Sequence, residues 1–112
     1  MKKIFKEEQL KTLGAYPRVV LEVIAETIAI LDENYGEERD VDKDLGGYAL
    51  IAESIVDIEV LKKEMLKDLV DEYTDVIEGS GGVNYTSSLF LLSSDFSIVV
   101  ITTEELSKFL LD

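Results

Sequence analysis

The longest periodic pattern in the chain runs through the stretch PRVVLEVIAETIAILDENYG. Apolar residues recur there at three- and four-residue steps, and charged residues occupy the opposite face, which is typical of an amphipathic helix. Pro17 suits the first turn of such a helix. The pattern therefore predicts a helix over residues 17–35. Its apolar stripe consists of Val20, Ile24, Ile28, Leu31 and Tyr35.

Both ends of the chain carry the pattern of a short helix. The stretch KEEQLKTL predicts one over residues 6–13, with Gly14 available as a left-handed stop. Near the C-terminus, TTEELSKFLL places Glu105 three residues after Thr102, which is the spacing of a capping box. We therefore expect Thr102 to open the last helix.

The stretch GGYALIAES supports two interpretations. Its alternating residues predict a strand covered on both faces, entered through a break at the paired glycines. The apolar spacing also fits one long helix from about Gly46 to Tyr73. Ser54 followed three residues later by Asp57 favours the first interpretation, because these residues can cap a helix that begins there. We therefore predict a strand and then a helix over residues 55–71.

Three β-rich runs, EYTDVIE, VNYTSSLFLL and FSIVVIT, follow in close succession. GSGG separates the first two runs and SSD the last two, so the spacing predicts an antiparallel meander. Tyr73 and Tyr85 lie on neighbouring strands of this meander and could pair across the sheet. FSIVVIT has no charged residue to protect an exposed edge, so it should be central in the sheet or paired in a homodimer.

These elements predict an α+β fold in a single compact domain spanning residues 1–112. A small antiparallel sheet of three or four strands would be packed on one face by the helices at 17–35 and 55–71. The short terminal helices would cover its ends. If residues 46–54 belonged to a long helix instead, the sheet would lose one strand.

Three aspartates at alternate positions, Asp40, Asp42 and Asp44, match the first oxygen ligands of an EF-hand calcium loop. The sixth position of that loop needs glycine and holds Leu45, and the twelfth needs glutamate and holds Ile51. The partial match favours an acidic turn that leads into a strand. We accordingly expect no bound metal and no cofactor.

Charge and composition narrow the classes of function. The chain has a formal net charge of −13, and residues 22–78 hold 18 acidic residues against 5 basic ones. Such a field repels nucleic acid and anionic lipid and attracts a basic protein. Histidine and cysteine are absent, which removes the commonest catalytic base and any thiolate chemistry. No apolar run is long enough to span a bilayer, so we expect a soluble cytoplasmic protein.

The sequence therefore favours a non-enzymatic protein-interaction or regulatory module that binds a basic protein. One alternative is an acidic inhibitor that mimics nucleic acid and binds a basic nucleic-acid enzyme. Another is a carboxylate- or metal-dependent enzyme, in which Asp42 and Asp44 would converge with a distant glutamate. Short, acidic chains without histidine or cysteine are similar in general character to many accessory proteins of bacterial phages and mobile elements. The acidic surface expected to meet the partner comprises Glu37, Glu38, Asp40, Asp42, Asp44, Asp57, Glu64, Asp68 and Asp71.

Overall fold

The computed structural model describes residues 3–36, 46–93 and 97–110, which form an α+β fold around a five-stranded mixed sheet. No helix within these three ranges is long and apolar enough to cross a membrane. The strands are β1 (Lys3–Ile4), β2 (Tyr48–Ile51), β3 (Leu69–Glu78), β4 (Asn84–Leu92) and β5 (Ser97–Thr103). The helices are a 3-10 helix at Glu7–Leu13, α1 (Arg18–Tyr35), α2 (Ile55–Val60), which continues as a π turn over Leu61–Met65, a 3-10 turn at Ser80–Gly82 between β3 and β4, and α3 (Glu104–Leu110).

The strand order across the sheet is β1-β2-β5-β4-β3. The hairpin of β3 and β4 and the antiparallel pairing of β4 with β5 confirm the meander. β2 pairs with β5 in parallel, with Tyr48 opposite Ile98, and the strand interpretation of residues 48–51 is confirmed. The prediction of a small, purely antiparallel sheet is wrong, because β2 and β5 form a parallel pair and β1 adds a fifth strand. β1 was missed because two residues are too few to show a periodicity.

Helices cover both faces of the sheet, so the prediction that they pack on one face is also wrong. On one face, called here the α1 face, Val20, Ile24 and Ile28 of α1 pack against Ala49 and Val99. On the opposite face, α2, its π turn and α3 bring Ile58, Leu61 and Leu110 against the apolar residues Leu50, Phe90, Ile98 and Val100. The physical reason is that β2 and β5 carry apolar residues at consecutive positions, which need cover on both sides. The central position expected for FSIVVIT is confirmed by β5.

The helix predicted over residues 55–71 is much shorter in the structure. Its start is as expected, because the Ser54 hydroxyl accepts a hydrogen bond from the Asp57 backbone N–H at 3.3 Å. It ends in a π turn, in which the Leu66 N–H donates to the Leu61 carbonyl at 2.9 Å. Leu69, assigned to the helix from its apolar spacing, instead begins β3.

The first helix ends at Leu13 as predicted, but the residues expected to stop it and to open the last helix behave differently. Gly14 has a φ of −59° and is not the left-handed stop that was expected. Thr102 does not cap the last helix, because its hydroxyl is buried and donates to the Ala52 carbonyl at 2.9 Å. Thr103 takes that place, since its hydroxyl accepts from the Leu106 N–H at 3.4 Å.

Candidate functional site

The outermost strand on one side of the sheet, β3, is ten residues long and nine of its residues are exposed. It pairs with β4 from Leu69 opposite Leu92 to Glu78 opposite Asn84, with an interruption at Val70. Within the described part of the chain, no strand pairs with its other edge. The backbone N–H and C=O groups that point outward from this edge are therefore available to a further strand.

The charges on β3 all have the same sign. The strand carries Asp71, Glu72, Asp75 and Glu78, and it contains no lysine or arginine. Because side chains alternate across a strand and Ile77 belongs to the core on the α1 face, Asp71 and Asp75 lie on that face as well. Glu72 and Glu78 lie on the other face, so carboxylates border the free edge on both sides.

Apolar side chains on β3 are exposed between these carboxylates. Val70, Tyr73 and Val76 are 68%, 57% and 59% exposed, although strand residues of this kind usually pack against a neighbour. The register shifts between Leu69 and Asp71, which indicates a bulge at Val70. An exposed edge that is both acidic and apolar is a candidate site for a partner that complements both properties.

A local hydrogen-bond arrangement holds Asp71 and Tyr73 together. The Asp71 carboxylate accepts from the Tyr73 hydroxyl at 2.9 Å and from the Glu72 backbone N–H at 2.8 Å. The hydrogen bond to this carboxylate raises the pKa of Tyr73, because ionised tyrosine could no longer donate. Tyr73 does not pair with Tyr85, contrary to the prediction, since Tyr73 lies opposite Leu89 and Tyr85 lies opposite Ile77.

A groove of about 280 Å³ lies between the C-terminal half of α1 and the sheet, next to β3. Asn34 and Asp75 are among its polar residues. Ile30, at 55% exposed, and Tyr73, at 57%, leave the groove open to solvent. The apolar residues that line the groove are Ile30, Leu31, Tyr73, Leu89, Leu91 and Val99.

A second group of polar residues lies where β2 ends. The Tyr16 hydroxyl donates a hydrogen bond to the Glu53 carboxylate, and the Glu53 backbone N–H donates to the Asp57 carboxylate at 2.9 Å. The pKa of Tyr16 is raised well above its usual range, mainly by burial and secondly by the hydrogen bond to Glu53. This arrangement ties the segment before α1 to the start of α2.

The structure places four residues of the expected acidic surface. Asp57 is half-buried at the start of α2, where its carboxylate accepts a hydrogen bond from the Glu53 backbone N–H. Glu64 and Asp68 are exposed along the segment that leads into β3, and Asp71 lies within β3. Asp57 and Asp71 are near opposite ends of the strands, because β4 and β5 run antiparallel between them. Glu37, Glu38, Asp40, Asp42 and Asp44 lie outside the described residues, and so does the EF-hand match.

Sequence reasoning missed three acidic residues of the edge, Glu72, Asp75 and Glu78. The run EYTDVIE was predicted as a strand and its acids were visible, but the pattern did not show that this strand would be outermost. In residues 3–36, 46–93 and 97–110, no group of three or more histidine, cysteine, aspartate or glutamate residues is placed to hold a metal ion.

No protein-family model matches the sequence, and no curated protein is significantly similar to it. No solved structure significantly matches the fold.

Proposed function

We propose that this protein is a non-enzymatic interaction module that binds a basic segment of another protein along the free edge of β3. One observation carries the proposal: a ten-residue edge strand bears four carboxylates and no base, and nine of its residues are exposed. Strand addition to such an edge uses backbone hydrogen bonds for affinity and side chains for specificity. Carboxylates on both faces of the strand favour lysine and arginine in the partner.

The same carboxylates disfavour a second copy of this chain as the partner. Two β3 strands paired edge to edge would bring eight carboxylates together, and like charges on neighbouring strands are destabilising. Charged side chains are a common protection of edge strands against self-association. An edge that repels its own copy remains open to a segment of opposite charge.

The proposal is tested by capturing partners from a cytoplasmic extract of the native host, the compartment we propose, and eluting them over a salt gradient. The edge variant carries Glu72→Lys and Asp75→Lys. A matched control carries Glu8→Lys and Glu59→Lys, which change the net charge equally at exposed sites away from β3. We expect wild type and control to retain a basic protein that the edge variant loses.

Equal recovery by all three proteins would contradict binding at β3. Loss of the partner from both variants would show that it responds only to net charge. If the retained protein is a nucleic-acid enzyme, the inhibitor version of the proposal follows, and inhibition of that enzyme by wild type but not by the edge variant would be the next measurement.

A further inference from the structure

The groove beside β3 and the free edge of the same strand are continuous. Tyr73 and Asp75 belong to both, because they lie on the edge strand and line the groove. A strand added to β3 would lie about 4.8 Å from it and would have the same alternation of faces. Its side chains opposite Tyr73 and Asp75 would therefore point toward the α1 face, at the mouth of the groove.

Resting on the proposed function, we propose that the partner segment is an extended strand that places one large apolar side chain in this groove, between basic residues that meet the β3 carboxylates. The volume of about 280 Å³ is slightly below the range of about 300–1,000 Å³ usual for small-molecule pockets. It suits one or two side chains. Six apolar residues line it, and none of its described lining residues is basic.

Charge complementarity defines the recognised pattern. On the α1 face, the partner segment should carry basic residues opposite Asp71 and Asp75, and its apolar anchor should lie between them, opposite Tyr73. On the other face, basic residues belong opposite Glu72 and Glu78, and a smaller apolar residue belongs opposite the exposed Val76. A second copy of β3 cannot satisfy this pattern, because its own sequence offers carboxylates instead of bases.

A synthetic peptide tests the pattern directly. The probe is a fluorescently labelled Lys-Thr-Val-Lys-Thr-Leu-Lys-Lys, whose antiparallel pairing places its leucine opposite Tyr73 and its lysines opposite the four acids. The control peptide exchanges that leucine with the threonine before it, which keeps composition and charge but moves the leucine to the other face. We expect the full-length protein to bind the control about tenfold more weakly in fluorescence anisotropy, the loss that corresponds to one poorly buried apolar side chain.

A variant of the protein tests the same contact from the other side. Ile30→Ser removes an apolar residue of the groove without touching β3, and because Ile30 is 55% exposed the fold should be retained. Val56→Ser is the matched control, since Val56 is 66% exposed on α2, across the sheet. Ile30→Ser should weaken binding of the probe about tenfold, whereas Val56→Ser should leave it unchanged.

Each result distinguishes the groove from the edge. If both peptides bind equally, or if Ile30→Ser has no effect, the groove is not the anchor site and the inference is wrong. If binding of the peptides is nevertheless lost in the Glu72→Lys, Asp75→Lys variant, the proposed function stands without the groove.

Three further outcomes would contradict the inference. Peptide binding that survives the Glu72→Lys, Asp75→Lys variant would overturn both proposals, and failure of the wild-type protein to bind the probe would overturn the inference. Self-association of wild type that Ile30→Ser abolishes would make a second copy the occupant and overturn it as well.

Discussion

Gly47 has a backbone conformation that residues with a side chain rarely adopt. Its φ is 97°, and a Cβ at this position would collide with the backbone carbonyl of Ser97. The close approach occurs where β2 enters the sheet beside the start of β5, just before Tyr48 pairs with Ile98. This single position therefore helps to set the register of the parallel pair.

Replacement of this glycine should destabilise the protein. We expect Gly47→Ala to lower the free energy of unfolding by about 1–3 kcal/mol, the usual cost of a positive φ in a residue other than glycine. The collision with the Ser97 carbonyl adds to that cost. Urea denaturation followed by circular dichroism measures the change.

Gly14→Ala is the matched control for this substitution. Gly14 has a φ of −59°, and an added Cβ would meet nothing within 4 Å. Alanine is compatible with that conformation and should stabilise the protein by about 0.4–1 kcal/mol through the unfolded chain. Equal effects of the two substitutions on the free energy of unfolding would show that the positive φ of Gly47 and its approach to Ser97 do not limit stability.

The two edges of the sheet differ in how they are protected. β1 forms one edge and is only two residues long, and short edge strands offer little to pair with. β3 forms the other edge and is ten residues long, so its protection has to come from its side chains. Its four carboxylates repel the same strand of a second copy, and they leave the backbone groups of the edge open to other partners.

Neutralising this strand should expose the edge to self-association. The variant Asp71→Asn, Glu72→Gln, Asp75→Asn, Glu78→Gln keeps side-chain size but removes the repulsion between copies, so we expect dimers or larger species in sedimentation velocity. The control Glu7→Gln, Glu8→Gln, Glu59→Gln, Glu105→Gln removes the same charge at exposed sites outside β3 and should remain like wild type. Self-association of both variants would mean that the net charge of the protein, and not the charge on β3, keeps separate copies from associating.

The whole molecule is organised as three layers, with α1 on one face of the sheet and α2 and α3 on the other. Burial is concentrated in β2 and β5, where nearly every residue is inaccessible to solvent. It declines toward β3, where only Ile77 is buried. Resistance to local opening should follow this gradient, because it depends on buried contacts and protected backbone hydrogen bonds.

Hydrogen exchange should reproduce the gradient. We expect the amides of β5 to exchange most slowly and the outward-pointing amides of β3 to exchange fastest among the strands, as measured by nuclear magnetic resonance. Residues of β4, which pair on both sides, serve as the internal reference. Strong protection of every β3 amide in the isolated protein would mean that its edge is already covered and would contradict the docking site.

Local patterns were enough to predict most of the individual elements. The period of α1, the Ser54 cap and the hairpin between β3 and β4 depend on residues close together in the chain, so they could be recognised without knowledge of the fold. For these features the sequence and the structure agree. The acids Glu72, Asp75 and Glu78 were visible in the run EYTDVIE, and Asp71 directly precedes it, but only Asp71 was assigned to the partner surface.

The arrangement of the elements depended on contacts between distant parts of the chain. The parallel pairing of β2 with β5 and the placement of helices on opposite faces satisfy strands that are apolar on both sides, and no local period encodes which partner covers which side. The same holds for Thr102, whose hydroxyl donates a hydrogen bond to the Ala52 carbonyl, fifty residues away, instead of capping the adjacent helix. The free edge of β3 is likewise a property of strand order, so it was decided only when the sheet assembled.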